Sequence, residues 1–128
     1  MSCETHAYIH KNIEPEEIVK ALTKIGTKTI LRNGKLEYDE NGDFFSFIDF
    51  TYEGRLYELS ITRTSDYIDR SEDNPIIEPD IYTSIGVNYS KKSSEFMVKV
   101  LQRFGGYFIE NDHTAEGRKA RYIKKEIG

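Results

Sequence analysis

Apolar and polar residues alternate with a period of two through residues 27 to 64, and three dipeptides, Asn33-Gly34, Asn41-Gly42 and Glu53-Gly54, interrupt the alternation. Two-fold alternation is the mark of a strand, and Asn-Gly supplies the two positive-φ residues of a type I′ hairpin turn. Glu53-Gly54 is a poorer signal, because Glu resists positive φ. Taken as turn centres, the dipeptides predict a four-stranded antiparallel meander. Its register sets Leu31 against Leu36, Thr29 against Tyr38, Tyr38 against Phe45 and Leu36 against Phe47, on one face. The opposite face receives Phe50 against Tyr57, Ile48 against Leu59 and Ser46 against Ile61. Asp49 falls opposite Glu58, on the face of Phe47.

The period changes on either side of this stretch. His6 to Lys11 reads as a short strand, followed by a helix from Pro15 to Ile25 with Ile18, Ala21, Leu22 and Ile25 along one stripe. Pro15 suits the first helical position, Glu16 and Glu17 favour the positive end of the helix dipole, Ile13 can staple onto Ile18, and Gly26 suits the left-handed C-terminal position. Beyond the meander, Ile81 to Tyr89 reads as a strand, Ser93 to Phe104 as a helix with Phe96, Met97, Val100, Leu101 and Phe104 inward, and Tyr107 to Asn111 as a strand. Gly105-Gly106 ends that second helix. The expected fold class is α+β, with a central four-stranded antiparallel meander flanked by two β-α-β-like units and both helices on one sheet face. Whether the N-terminal strand pairs with the meander or with the strand after the second helix is left open.

With 128 residues the chain fits a single domain, long enough to bury roughly two thirds of its unfolded surface. One cysteine, Cys3, excludes an internal disulfide, and no apolar run nears the roughly 18 residues of a membrane span. Met1 to Asn12 lacks the charged start and apolar centre of a signal peptide, so a cytoplasmic location is expected. The net charge of −4 speaks against direct binding of nucleic acid. That average hides an asymmetry. Residues 113–128 carry five Lys/Arg against two Glu, +5 − 2 = +3, which leaves −4 − 3 = −7 on the remainder. Asp66, Asp69, Glu72, Asp73, Glu78 and Asp80, opposed only by Arg70, make residues 65 to 80 an acidic loop with Pro75 and Pro79.

Candidate chemistry is sparse. Cys3, His6, His10 and His113 are zinc-type ligands, but on a strand His6 and His10 stand about 13 Å apart, so no metal site is expected among them. The carboxylates of residues 66 to 73 lack the central Gly of a calcium-binding loop. Asp49 beside Glu58 is a like-charge pair of the kind that can raise one carboxyl pKa, and Asp112-His113 after a strand is a possible acid–base pair; neither has a nucleophile or phosphate-binding glycines beside it. No catalytic residue, cofactor or metal is assigned. The basic segment is expected to form a solvated terminal helix, with Arg118, Arg121, Tyr122 and Lys124 as an alternative grip for a small nucleotide.

The segments HAYIHKN, PEEIVKAL and SSEFMVKVLQRFGGYFIENDHT, near the two ends, resemble small accessory proteins of phages and prophages of Gram-positive bacteria. The resemblance implies a class that includes inhibitors of host immunity, such as anti-CRISPR proteins, and nucleotide-sequestering proteins. It carries no functional residue across. The combined expectation is a non-enzymatic protein that blocks a host protein with a basic surface. The partner-binding acidic residues would be Asp66, Asp69, Glu72, Asp73, Asp49 and Glu58. Leu31, Leu36, Tyr38, Phe45 and Phe47 would form an apolar interface with a second copy or with the target. Sequestration of a small nucleotide is the alternative, and an enzyme of unknown reaction the third reading.

Overall fold

Ser90 and Glu14 decide where the two helices begin. In the computed structural model, which describes residues 3–9, 13–38, 44–64 and 82–126, helix α1 runs Pro15–Lys24 and α2 runs Lys91–Phe104. Glu14 and Glu17 form a reciprocal capping box at α1, with Pro15 at the first position. At α2 the Ser90 hydroxyl accepts the Ser93 N–H at 3.0 Å, and the Ser93 hydroxyl donates to the Asn88 carbonyl at 2.6 Å. This cap starts the helix two residues before the expected Ser93. Gly26 and Gly105, at φ +92° and +78°, end the helices as glycine allows.

The strands are β1 (Glu4–Ile9), β2 (Lys28–Tyr38), β3 (Phe44–Tyr52), β4 (Arg55–Thr64), β5 (Tyr82–Asn88), β6 (Gly106–Ile109) and β7 (Arg121–Ile123). They form one sheet in the order β2-β3-β4-β5-β1-β6-β7, every neighbouring pair antiparallel. Residues 27 to 64 form three strands, β2-β3-β4, where four were expected; β5, from beyond this stretch, completes a four-stranded meander β2-β3-β4-β5. The units β1-α1-β2 and β5-α2-β6 overlap it at its two ends, and the α+β class is as expected. The question about the N-terminal strand resolves to the strand after the second helix, with β5 and no strand of residues 27 to 64 on its other side. Strand β1 lies between β5 and β6, with His6 opposite Gly86 on one side and Ile109 on the other.

Two details of the meander differ from expectation. Strand β2 continues through Asn33-Gly34 instead of turning there. Five steps of β2, Arg32 to Glu37, lie against two of β3, Phe47 to Phe45, so a bulge absorbs 5 − 2 = 3 extra residues. An edge strand tolerates this because it has no neighbour on its outer side to fall out of register with. The predicted Leu31–Leu36 and Tyr38–Phe45 pairs are consequently not made: Leu31 is registered with Ile48, Arg32 with Phe47, Glu37 with Phe45 and Tyr38 with Phe44. The dipeptide Asn41-Gly42 lies outside the described residues. The β3–β4 hairpin is as predicted, with Ser46 opposite Ile61, Ile48 opposite Leu59, Asp49 opposite Glu58 and Phe50 opposite Tyr57. Glu53 accepts a φ of 51° and Gly54 one of 80° at its tip.

Both helices pack on one face of the sheet. Ile18, Ala21 and Leu22 of α1 and Phe96, Met97, Val100 and Leu101 of α2 are buried there with Ile48, Phe50, Leu59, Ile61, Ile85, Ala7 and Ile9. Phe96 is the centre of an aromatic cluster, edge-on to Phe50, Tyr52 and Tyr57 with ring centroids 5.1, 5.5 and 5.0 Å away. Each fully buried side chain of this size contributes on the order of 2–3 kcal/mol. The C-terminal segment is not a helix as expected. It returns as β7, because Tyr122 meets Tyr107 edge-on at 5.3 Å while Arg121 covers the Phe108 ring at 5.1 Å, contacts that need alternating side chains.

Candidate functional site

The alternation of β1 divides its side chains between two environments. Thr5, Ala7 and Ile9 are buried toward the helices; Glu4, His6 and Tyr8 are half-buried on the other face. Starting at Glu4, two residues before the expected His6, the strand puts Glu4 and His6 on the same face.

Just past β6 the chain stays tied to β1. The Asp112 N–H donates to the Glu4 carbonyl at 3.1 Å, the Glu4 N–H donates to Asp112 Oδ1 at 2.9 Å, and the Thr5 hydroxyl donates to the Glu110 carbonyl at 2.7 Å. The loop that follows is closed by its own bonds, from Asn111 N–H to Gly117 O at 3.2 Å and from Arg118 N–H to Thr114 O at 2.9 Å. Asp112 is thereby fixed with one carboxylate oxygen on the Glu4 backbone and the other, Oδ2, 3.2 Å from His6 Nε2. Glu4 Oε2 approaches the same nitrogen at 3.5 Å. The three donor atoms of Glu4, His6 and Asp112 lie within 4.8 Å of one another.

Gly86 makes room for the imidazole. A Cβ there would stand 3.3 Å from His6 Nδ1 and 3.2 Å from Ser60 Oγ, tighter than ordinary contact on both sides. The ring lies nearly parallel to that of Tyr8, centroids 6.5 Å apart. Partial burial opposes ionisation of Asp112, but the Glu4 N–H, the bond to His6 and the nearby His6 and His113 together outweigh it and hold the carboxyl below its usual range. His113 Nε2 lies 3.7 Å from Asp112 Oδ1, the oxygen that His6 does not engage.

Asp112-His113 was anticipated as a pair, whereas Asp112 engages His6 more closely. The signal that marks the cluster in the sequence is Glu4-x-His6, two ligand types on alternate positions of one strand. Bringing Asp112 to them requires knowing that β6 pairs with β1, which no local pattern encodes.

The other expected site residues are distributed differently. Asp49 and Glu58 are directly opposed, as expected, on the face away from the helices. Beside them Leu56 is 70 % exposed. Lys28, Asp49, Phe50, Thr51 and Leu56 border an open hollow of about 210 Å³. Phe47 is half-buried, registered with Ser60. For Leu31, Leu36, Tyr38 and Phe45 the side chains lie outside what is described. Asp66, Asp69, Glu72 and Asp73 lie outside the described residues altogether. Arg121 and Tyr122, adjacent in β7, contact Phe108 and Tyr107 respectively; Arg118 belongs to the preceding loop, and exposed Lys124 follows the strand.

No helix among the described residues is long and apolar enough to cross a membrane. No protein-family model, curated protein or solved structure matches the chain.

Proposed function

We propose that the protein is a non-enzymatic binding protein that blocks a basic, nucleic-acid-binding surface of a host protein, as do the counter-defence inhibitors included in the class of phage accessory proteins that its terminal segments resemble. The observation that carries the reading is the Asp49–Glu58 pair beside Leu56 on the sheet face away from both helices. The two carboxylates concentrate negative charge on that face, which suits a basic partner. Carboxylates steer a basic partner and keep out acidic ones, while an exposed leucine adds apolar area that excludes water from the contact. The sheet beneath is rigid, since Ile48, Phe50, Tyr57 and Leu59 of the same two strands are buried in the core.

The test is capture from a lysate of the encoding organism, read by native mass spectrometry, with the chain and its Asp49→Lys/Glu58→Lys variant side by side. The expected result is a protein retained by the first and released by competing oligonucleotide or by about 0.5 M salt. The variant, shown by circular dichroism to keep the fold, should retain at least tenfold less. Equal capture by both, or a retained small nucleotide with no protein, would remove this reading.

A further inference from the structure

We infer that Glu4, His6 and Asp112 form a binding site for one divalent transition-metal ion of the zinc class, held by three protein ligands with an open position toward solvent. This inference is independent of the binding face proposed above. It also reverses the expectation, drawn from the spacing of His6 and His10, that β1 holds no metal.

Two carboxylate oxygens, Asp112 Oδ2 at 3.2 Å and Glu4 Oε2 at 3.5 Å, converge on the one nitrogen His6 Nε2. An imidazole nitrogen has one site, a single N–H or a single lone pair, so it satisfies at most one of them by a straight hydrogen bond. A cation at the centre of the three satisfies all of them. Ligand atoms about 2.0–2.2 Å from zinc at tetrahedral angles are separated by roughly 3.3–3.6 Å; the separations of 3.2 and 3.5 Å from His6 Nε2 are within about 0.1 Å of that spacing, and the two carboxylate oxygens lie within 4.8 Å of each other.

The ligands are also held as metal ligands are held. Asp112 Oδ1 is committed to the Glu4 N–H, which turns Oδ2 toward His6. The missing Cβ at Gly86 lets the ring lie close against β5. Such outer contacts fix ligand orientation before the ion arrives. One nitrogen with two carboxylate oxygens is a donor set that suits zinc and its neighbours better than calcium, which takes six to eight oxygens. Side-chain exposures of 23 % for His6, 32 % for Asp112 and 44 % for Glu4 leave access for a water or a partner's side chain. Three protein ligands with an open fourth position is the pattern of reactive zinc sites rather than closed structural ones.

The experiment is a zinc titration of the untagged, EDTA-stripped chain carrying Cys3→Ser, which removes the lone thiol as a competing ligand. Isothermal calorimetry should give one equivalent of zinc, and cadmium-113 NMR one resonance at a shift for mixed nitrogen and oxygen ligands. Glu4→Gln and His6→Gln should each weaken binding at least tenfold. His113→Gln should leave it within twofold. Glu4→Gln is the decisive variant because that side chain touches only His6 among the contacts described, so loss of affinity cannot be loss of fold. The inference is overturned by the absence of saturable binding below about 1 mM, by affinity unchanged in Glu4→Gln and His6→Gln, or by loss in His113→Gln alone.

Discussion

Asp112 shows how much one side chain does that its neighbours in sequence do not announce. Its carboxylate bonds the Glu4 N–H and His6 Nε2, and so closes the end of the β1–β6 pairing. Because its folded pKa is depressed, the ionised form adds stability above the unfolded value of about 3.9, and that stability is lost as pH falls through the lower folded value. In EDTA, Asp112→Asn should therefore be less stable than the parent to urea at pH 7. The gap should narrow as the pH is taken from 4 toward 2, where the parent's carboxyl is protonated too. A gap that is constant across this range would mean that the variant fails through shape and not charge. At this scale the sequence was legible where a residue acts locally. Gly26, Gly54, Gly105 and Pro15 all do what their types require, while Glu53 takes a positive φ beside Gly54. Asp112, His6 and Gly86 meet only through three strands far apart in the chain, and no residue type by itself declares that meeting.

Elements were readable when one periodicity and one set of ends agreed. Both helices show an apolar stripe and marked termini, and both are where the stripe puts them. Strand β2 is the contrary case. Asn33-Gly34 is as good a turn signal as the chain contains, yet the strand passes through it and absorbs the surplus as a bulge, since pairing with β3 on both sides of the dipeptide outweighs a local preference. The same tertiary contacts convert the basic C-terminal segment into β7 through Tyr107 and Phe108. Helix α2 is anchored mainly by Phe96, fully buried and edge-on to three aromatic rings of β3 and β4. Replacing it by alanine removes the shared contact of all three and leaves a cavity, so Phe96→Ala should cost about 3–5 kcal/mol in chemical denaturation. A cost under about 1 kcal/mol would show that the cluster repacks and that α2 is held by its aliphatic residues instead.

For the molecule as a whole, β1 is the piece on which the sheet depends. The meander β2-β3-β4-β5 and the hairpin β6-β7 are neighbours in the sheet only because β1 lies between them. Its six residues pair with β5, about eighty positions away, from Glu4–Asn88 to Ile9–Thr83, and with β6 still further along. Contacts of such separation carry a loop-closure cost, and because β1 is the strand that joins the two parts, its loss separates them. Its amides should accordingly exchange with solvent only on global unfolding, together with those of β5, whereas β7, three residues at the edge, should exchange through local opening. Native-state hydrogen exchange in low denaturant separates these cases. If β1 amides open well below the global free energy while β4 and β5 stay protected, the meander is an independent folding unit and β1 a removable strand. Ala7 tests the same point by mutation. It is fully buried, with Ile85 on one side and Phe108 on the other, so Ala7→Asp places an unpaired charge in both parts at once. It should abolish the cooperative transition entirely, where Tyr122→Ala, at the exposed edge, should lower its midpoint only slightly.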